Sequence, residues 1–242
     1  MTADRDGAPE APYEAVAAHP DGQTTAARYA AVAADYGFDG VVVRTRAASD
    51  EADALADDLE IDVATGVEID ADPEEASGLV GRAREQFDVV TVLGGSPDRN
   101  RFAVESDRVD VLAAPMRADG DLNHVLVRAA RDHDTRIEVN LGPVLRTAGG
   151  ERVRRLQRLR KLRELVDYYD APVVVSARPA SHLQLRAPRE LVAVGETVGF
   201  EPATVRAGLA EWGVIAAESR RRRSDSFISP GVQRVECEED DQ

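Results

Sequence analysis

The residues with the most concentrated chemistry are arginines. Between positions 152 and 163 the chain carries Arg152, Arg154, Arg155, Arg158, Arg160, Lys161 and Arg163, with only Glu151, Glu164 and Asp167 nearby to neutralise them. Guanidinium groups fork onto phosphate oxygens and stack on bases, so at this density their chemistry is recognition of a polyanion. Leu156, Leu159, Leu162, Leu165, Val166 and Tyr169 fall on one drifting apolar stripe of a helix, and cations surround most of the remainder. A solvated helix whose arginine stems lie along its own apolar stripe fits the same pattern.

Catalytic constellations are sparse. His19, His124, His133 and His182 are scattered, and no pair has HxH, HExxH or HxxxH spacing. After the first predicted strand, where metal-dependent α/β barrels place paired histidines, the chain reads AHPDGQT with one histidine and Asp21. Asp21, Glu68 and Glu138 could gather at a barrel mouth around magnesium, though carboxylates this numerous cluster by chance as well. Gly94-Gly95 follows a strand but lacks a P-loop lysine and dinucleotide spacing, and Asn100, Arg101 and Glu105 come next. There is no GxSxG elbow, and Cys237 lies in an acidic stretch that holds a thiol protonated. No self-sufficient catalytic set emerges, and no metal ligands are assigned.

Charge is sorted along the chain. Residues 1–80 hold 19 acids and 4 bases, residues 146–234 hold 10 and 17, and the last eight hold five acids and no base, within a net charge of −15. A basic last third on an acidic chain suits a polyanion such as nucleic acid. The 30 cations comprise 29 arginines and Lys161, beside 45 carboxylates, a composition that resembles proteins of salt-loving organisms. At about 1 M salt the Debye length is about 3 Å, so contacts to a polyanion must be close and directional. No run approaches the roughly 20 apolar residues that span a bilayer, and the N-terminus lacks the features of a signal peptide, so a cytoplasmic protein is expected.

Positioning these residues requires a framework, and the sequence supplies one. Apolar runs at 13–18, 40–44, 61–69, 89–93, 109–115, 136–141 and 172–177 predict seven strands. Helical patterns at 24–36, 49–58, 73–87, 122–132 and 151–169 separate them. Alternation of this kind predicts a single α/β domain over 13–215 with parallel strands covered on both faces. A barrel and an open doubly wound sheet both fit. Thr24 or Thr25 can cap the first helix and Gly37 can end it. Residues 1–12 read as a disordered extension, and 216–242 read as a tail, rich in arginine at 220–223 and then acidic.

Four stretches carry a resemblance: YGFDGVVVR (36–44), GGSPDRNRFAVES with RVDVLAAP (94–115), IEVNLGPVLR (137–146), and RLRKLRELVDYYDAPVVVSARPASHLQLRAPRELVAVGETVGF (158–200). In this order they resemble the archaeal protein component 3 family of ribonuclease P, homologous to the thirty-kilodalton eukaryotic subunit. The resemblance spans about residues 13–215. It implies a TIM-barrel-like fold related to PHP phosphoesterases but without their metal ligands. It further implies a subunit, not itself catalytic, of the ribonucleoprotein that removes the 5′ leader of precursor tRNA, where the RNA carries catalysis and magnesium. Implied partners are the ribonuclease P RNA, precursor tRNA, a small RRM-like protein and other ribonuclease P proteins. Carried over by position, the RNA-contact candidates are Arg44, Asn100, Arg101, Arg146, Arg178 and Arg186, with Ser176 weaker. Arg44 and Arg186 could instead pair with carboxylates such as Glu68 or Glu138. Two alternatives stand beside this reading: a metal-dependent PHP-like phosphoesterase, and a scaffold whose basic helix docks an acidic protein.

Overall fold

A computed structural model of the chain describes residues 11–46, 60–224, 227–229 and 232–233. The helix expected at 49–58, most of the 1–12 extension and the acidic end with Cys237 lie outside the described residues.

The seven expected strands all form: β1 (Tyr13–Ala17), β2 (Gly40–Thr45), β3 (Asp62–Ile69), β4 (Val89–Leu93), β5 (Val111–Ala113), β6 (Arg136–Asn140) and β7 (Val173–Ser176). They pair in parallel and in sequence order from β1 to β7. An open doubly wound sheet would reverse its order at a switch point; here no reversal occurs, and the first and last strands meet to give a nearly closed, TIM-barrel-like wall.

Helices α1 (Ala26–Tyr36), α2 (Pro73–Gln86), α4 (His124–Asp132) and α6 (Gly149–Tyr169) match predicted segments, whereas α3 (Pro97–Val104), α5 (Gly142–Leu145), α7 (Pro188–Val198) and α8 (Pro202–Arg223) lie outside them. Thr25 caps α1 by accepting from the Arg28 N–H at 3.4 Å, and Gly37 ends it with φ of 84°. A β8 (Phe227–Ser229) and β9 (Val232–Gln233) hairpin follows.

Alternation along the strands sorts the wall into two environments. Val41, Val43, Val63, Val90, Leu112, Ile137 and Val139 belong to the apolar core shared with the surrounding helices. Ala15, Val42, Ala64, Val89, Val111 and Val174, in the N-terminal halves of their strands, pack on Trp212, Ile215 and Ala216 of α8. The last helix therefore stoppers the N-terminal end of the barrel. Small residues facing the lumen make room for the Trp212 indole, whose Nε1 donates to the Val175 carbonyl at 2.8 Å. Gly208 lets α8 approach that closely, since a Cβ there would stand 2.6 Å from Val175 Cγ2.

The arginine run expected in a tail instead completes this helix. Arg220 donates to Asp62 at 2.9 Å, to Asp88 at 3.0 Å and to the Val63 carbonyl at 3.1 Å, and Arg223 pairs with Asp88. The domain thus extends through 224 because carboxylates at the starts of β3 and β4 clamp the end of α8.

Between β7 and β1 no ladder is made, and side chains seal the seam. The buried Glu14 carboxylate accepts from the backbone N–H of Ala177 at 2.9 Å and of Arg178 at 3.3 Å, and the Ala17 N–H donates to the Pro179 carbonyl at 3.0 Å. Burial pushes the Glu14 pKa up to about 8, against the two backbone N–H groups that favour its ionised form. Tyr29, on α1, ties the same segment by donating to the Pro179 carbonyl at 2.9 Å.

Candidate nucleic-acid interface

Above the Trp212 stopper the lumen turns polar. Arg44, at 1% exposure, points from β2 into the barrel and donates to Glu138 at 2.6 Å and to Glu68 at 2.7 Å. Its guanidinium carbon lies 5.7 Å from the centre of the Trp212 ring. Ser176, from β7, donates to the same Glu138 oxygen at 2.8 Å. Burial disfavours the charge on Arg44, but Glu138 and Glu68 outweigh it and raise the pKa. Glu68 shows the converse: burial raises its pKa, and Arg44 with Arg178 more than offsets this, leaving it lowered.

This corrects the reading of Arg44 as an RNA contact. A fully buried guanidinium between two carboxylates has no surface to offer a phosphate, and the pairing with Glu68 and Glu138 raised as its alternative is what forms. The same geometry bears on a metal. Glu68 and Glu138 are already engaged by a cation, while Asp21 accepts from the Arg46 N–H at 2.7 Å. Among the described residues no three His, Cys, Asp or Glu side chains gather to hold a metal ion.

Asn100 is likewise corrected. It is buried on α3, where its Oδ1 accepts from the Gly95 N–H at 3.1 Å and its Nδ2 donates to the carbonyls of Pro115 at 2.8 Å and Asp121 at 2.9 Å. Its work is to pin the loop after β4 to the loop after β5. Arg101 is exposed but pairs with Glu105 at 3.4 Å and shares a surface depression with Asp72, Glu74 and Asp98. A phosphate there meets carboxylates first.

The remaining three candidates converge where β7 ends. Arg178, with φ of 43°, turns back over the lumen and pairs with Glu68 at 2.5 Å. Arg146, just after α5, donates to the Ala177 carbonyl at 3.0 Å. Arg186 donates to the Leu185 carbonyl at 2.7 Å and has no carboxylate within 4 Å among the described residues, so its alternative pairing with Glu68 or Glu138 does not form. Burial lowers the Arg146 pKa, and Arg178 and Arg186 push it the same way, as expected of like charges held together. Glu14 acts on Arg146 in the opposite direction, favouring its charge, although burial pushes the Glu14 carboxyl itself up to about 8. Exposed Arg46 adds a further cation at this mouth, 3.8 Å from Glu68.

From Arg146 the chain runs directly into α6, whose Arg152, Arg154, Arg158 and Arg160 are exposed. Arg154 and Arg155 share Glu151, at 2.7 Å and 3.0 Å, whereas Arg158 has no carboxylate within 4 Å among the described residues. The basic helix thus adds exposed guanidiniums next to the mouth. Its density was visible in the sequence, but its adjacency to Arg146, Arg178 and Arg186 comes from the barrel's order.

A family model described as RNase P subunit p30 matches residues 12–224. The chain belongs to this family. It is accordingly a protein subunit of ribonuclease P. A ribonuclease P protein component 3 from Halorubrum lacusprofundi is 57% identical, covering 94% of this chain and 99% of that protein. One from Haloarcula marismortui is 56% identical, with 95% and 99% covered. A third, from Methanococcoides burtonii, is 32% identical over 88% of this chain and 89% of its own length. Among solved structures, a chain in the cryo-EM structure of archaeal ribonuclease P with mature tRNA superposes with a TM-score of 0.78 at 25% identity, covering 94% of this chain and all of that one. The first two relatives come from halophiles, as the acidic, lysine-poor composition suggests. Among the described residues no helix is long and apolar enough to cross a membrane.

Proposed function

We propose that this ribonuclease P subunit binds the enzyme's RNA through Arg146, Arg178 and Arg186 at the barrel mouth and the exposed arginines of α6. It thereby supports removal of the 5′ leader from precursor tRNA. The observation that carries the proposal is the convergence of three guanidiniums where β7 ends, beside a Glu68 already shared with Arg44. A surplus of fixed, forked donors of this kind is matched by phosphate.

In this reading the chain is not itself catalytic. Its lumen carboxylates are spent on Arg44, and magnesium is held by RNA phosphates. The small RRM-like protein and the other protein subunits pack elsewhere on the barrel, and the complex works in the cytoplasm.

Purification of the tagged chain from a native high-salt lysate, with sequencing of the RNA that travels with it, tests this. One structured noncoding RNA that cleaves precursor tRNA is expected. Recovery free of RNA, with stoichiometric zinc or manganese, would overturn it in favour of a phosphoesterase.

A further inference from the structure

Beside the arginine mouth, a cavity of about 440 Å³ opens between the loop after β5, the end of β6, α5 and α6. Its walls are mainly apolar, formed by Pro115, Met116, Pro143, Val144, Leu159 and Leu162. Glu138 and Asn140 supply its polar groups away from the arginines, and Arg117, Arg155 and Arg158 line it as well. The size lies within the roughly 300–1,000 Å³ typical of ligand pockets.

Glu138 is the informative residue. Its Oε1 takes both the Arg44 and Ser176 bonds, while Oε2 is buried and has no hydrogen-bond partner. A buried carboxylate oxygen left unpartnered costs free energy unless a donor reaches it. Two positions along β6, Asn140 accepts from the Gly142 N–H at 3.0 Å through Oδ1, leaving its amide N–H groups as donors without a partner among the described residues. One free acceptor and one free donor therefore stand on the same strand, beside apolar walls.

We propose that this cavity takes one unpaired nucleobase of the RNA, an amino-bearing base in preference to uracil. Apolar walls receive the base faces, the exocyclic amine donates to Glu138 Oε2, and Asn140 donates to a ring nitrogen or carbonyl. Uracil fits poorly, because carbonyls flank its single N–H and would meet the carboxylate. The flanking phosphates are left to Arg117, Arg155 and Arg158. The same arginines repel a lysine or arginine side chain, and Glu138 repels a phosphate or carboxylate, which leaves a neutral planar ligand as the match. The inference rests on the RNA-binding reading and specifies where one base goes.

The test uses the full-length chain with labelled hexamers of A, C and U at molar potassium chloride, where phosphate contacts are weakened. Anisotropy reports binding. A hexamer with one central 2-aminopurine reports, by its fluorescence, a base leaving the stack. Two variants accompany the wild type: Met116→Trp, which fills the cavity, and Asn140→Asp, which keeps the Gly142 bond but replaces the donor with an acceptor. Thermal unfolding checks that both are folded.

The expected result is A and C hexamers binding about tenfold more tightly than U, the worth of one hydrogen bond to a charged group, with both variants abolishing the preference and the 2-aminopurine signal. Equal binding of all three hexamers, untouched by either variant, would overturn the base pocket and leave the RNA-binding reading standing. No binding of any hexamer, with the assembled enzyme active, would also overturn it. If Met116→Trp fails to fold, Asn140→Asp decides alone.

Discussion

Replacing Arg44 by methionine separates a structural arginine from an RNA-binding one. The substitution keeps a flexible stem beside Trp212 but removes the guanidinium that bridges Glu68 and Glu138. Glu68 retains Arg178, whereas Glu138 is left with the Ser176 hydroxyl alone. Removing one partner of a buried ion pair costs roughly 3–5 kcal/mol, a large part of the roughly 5–15 kcal/mol that holds a domain folded. At about 2–4 °C per kcal/mol for a chain of this size, the melting temperature should fall by about 6–20 °C. Trp212 is the only tryptophan and lies against the site, so its fluorescence during thermal and urea unfolding is a direct assay. Arg44→Lys should fall between the two, since one ammonium cannot fork across both carboxylates. A variant within about 1 kcal/mol of the wild type, whose assembled enzyme nevertheless loses RNA affinity, would refute the assignment and return Arg44 to the interface.

Two further predictions concern positions that hold the mouth in shape. The raised pKa of Glu14 means the folded protein keeps a proton that the unfolded chain loses. The stability tied to that proton is therefore full below about pH 4.5 and declines as pH rises through about 8. Glu14→Gln, which still offers an oxygen to both N–H groups, should flatten this slope and raise stability at pH 8 by as much as ~4 kcal/mol; an unchanged slope in urea titrations between pH 5 and pH 9 would show that Glu14 is not its source. Asn100→Leu should destabilise by about 2–4 kcal/mol, because it strands the Gly95 N–H and the Pro115 and Asp121 carbonyls. Hydrogen exchange at Gly95 should accelerate while the folded protein keeps its RNA affinity, and a selective loss of affinity would contradict the structural role.

The strands were legible because buried parallel strands are continuous apolar runs, and 40–44 or 89–93 allow little else. Closure of the barrel was not, since a run of strands carries no mark of whether its first and last members meet; here a glutamate and an α1 tyrosine make the join. Helix α3 was hidden by the Gly94-Gly95 loop before it, although Ser96 and Pro97 are a proper helix start and Ser96 does accept from the Arg99 N–H. Helix α8 escaped because it is buried against several strands at once, so its apolar residues do not form one stripe. Its final arginines looked like a tail because Asp62 and Asp88 lie more than 130 positions away.

The site divides along the same line. Residue type and segment order singled out arginines at strand ends, and three of the six candidates share one mouth. Arg44, near the end of β2, and Asn100, on α3, point inward instead, where two carboxylates or three backbone groups claim them. Only the direction of the side chain separates the two outcomes. The Glu138 oxygen left without a donor had no sequence signal, because it depends on both Arg44 and Ser176 choosing the same carboxylate oxygen.

The central claim is tested most directly by titrating the ribonuclease P RNA with the chain and with an Arg146→Ala, Arg178→Ala, Arg186→Ala triple variant across a range of potassium chloride. If these arginines bind phosphate, the variant should remain folded and bind about 100-fold more weakly, with the slope of log affinity against log salt shallower by about 2–3. Unchanged affinity and slope in the folded triple variant would contradict the account and move the interface to another face of the barrel.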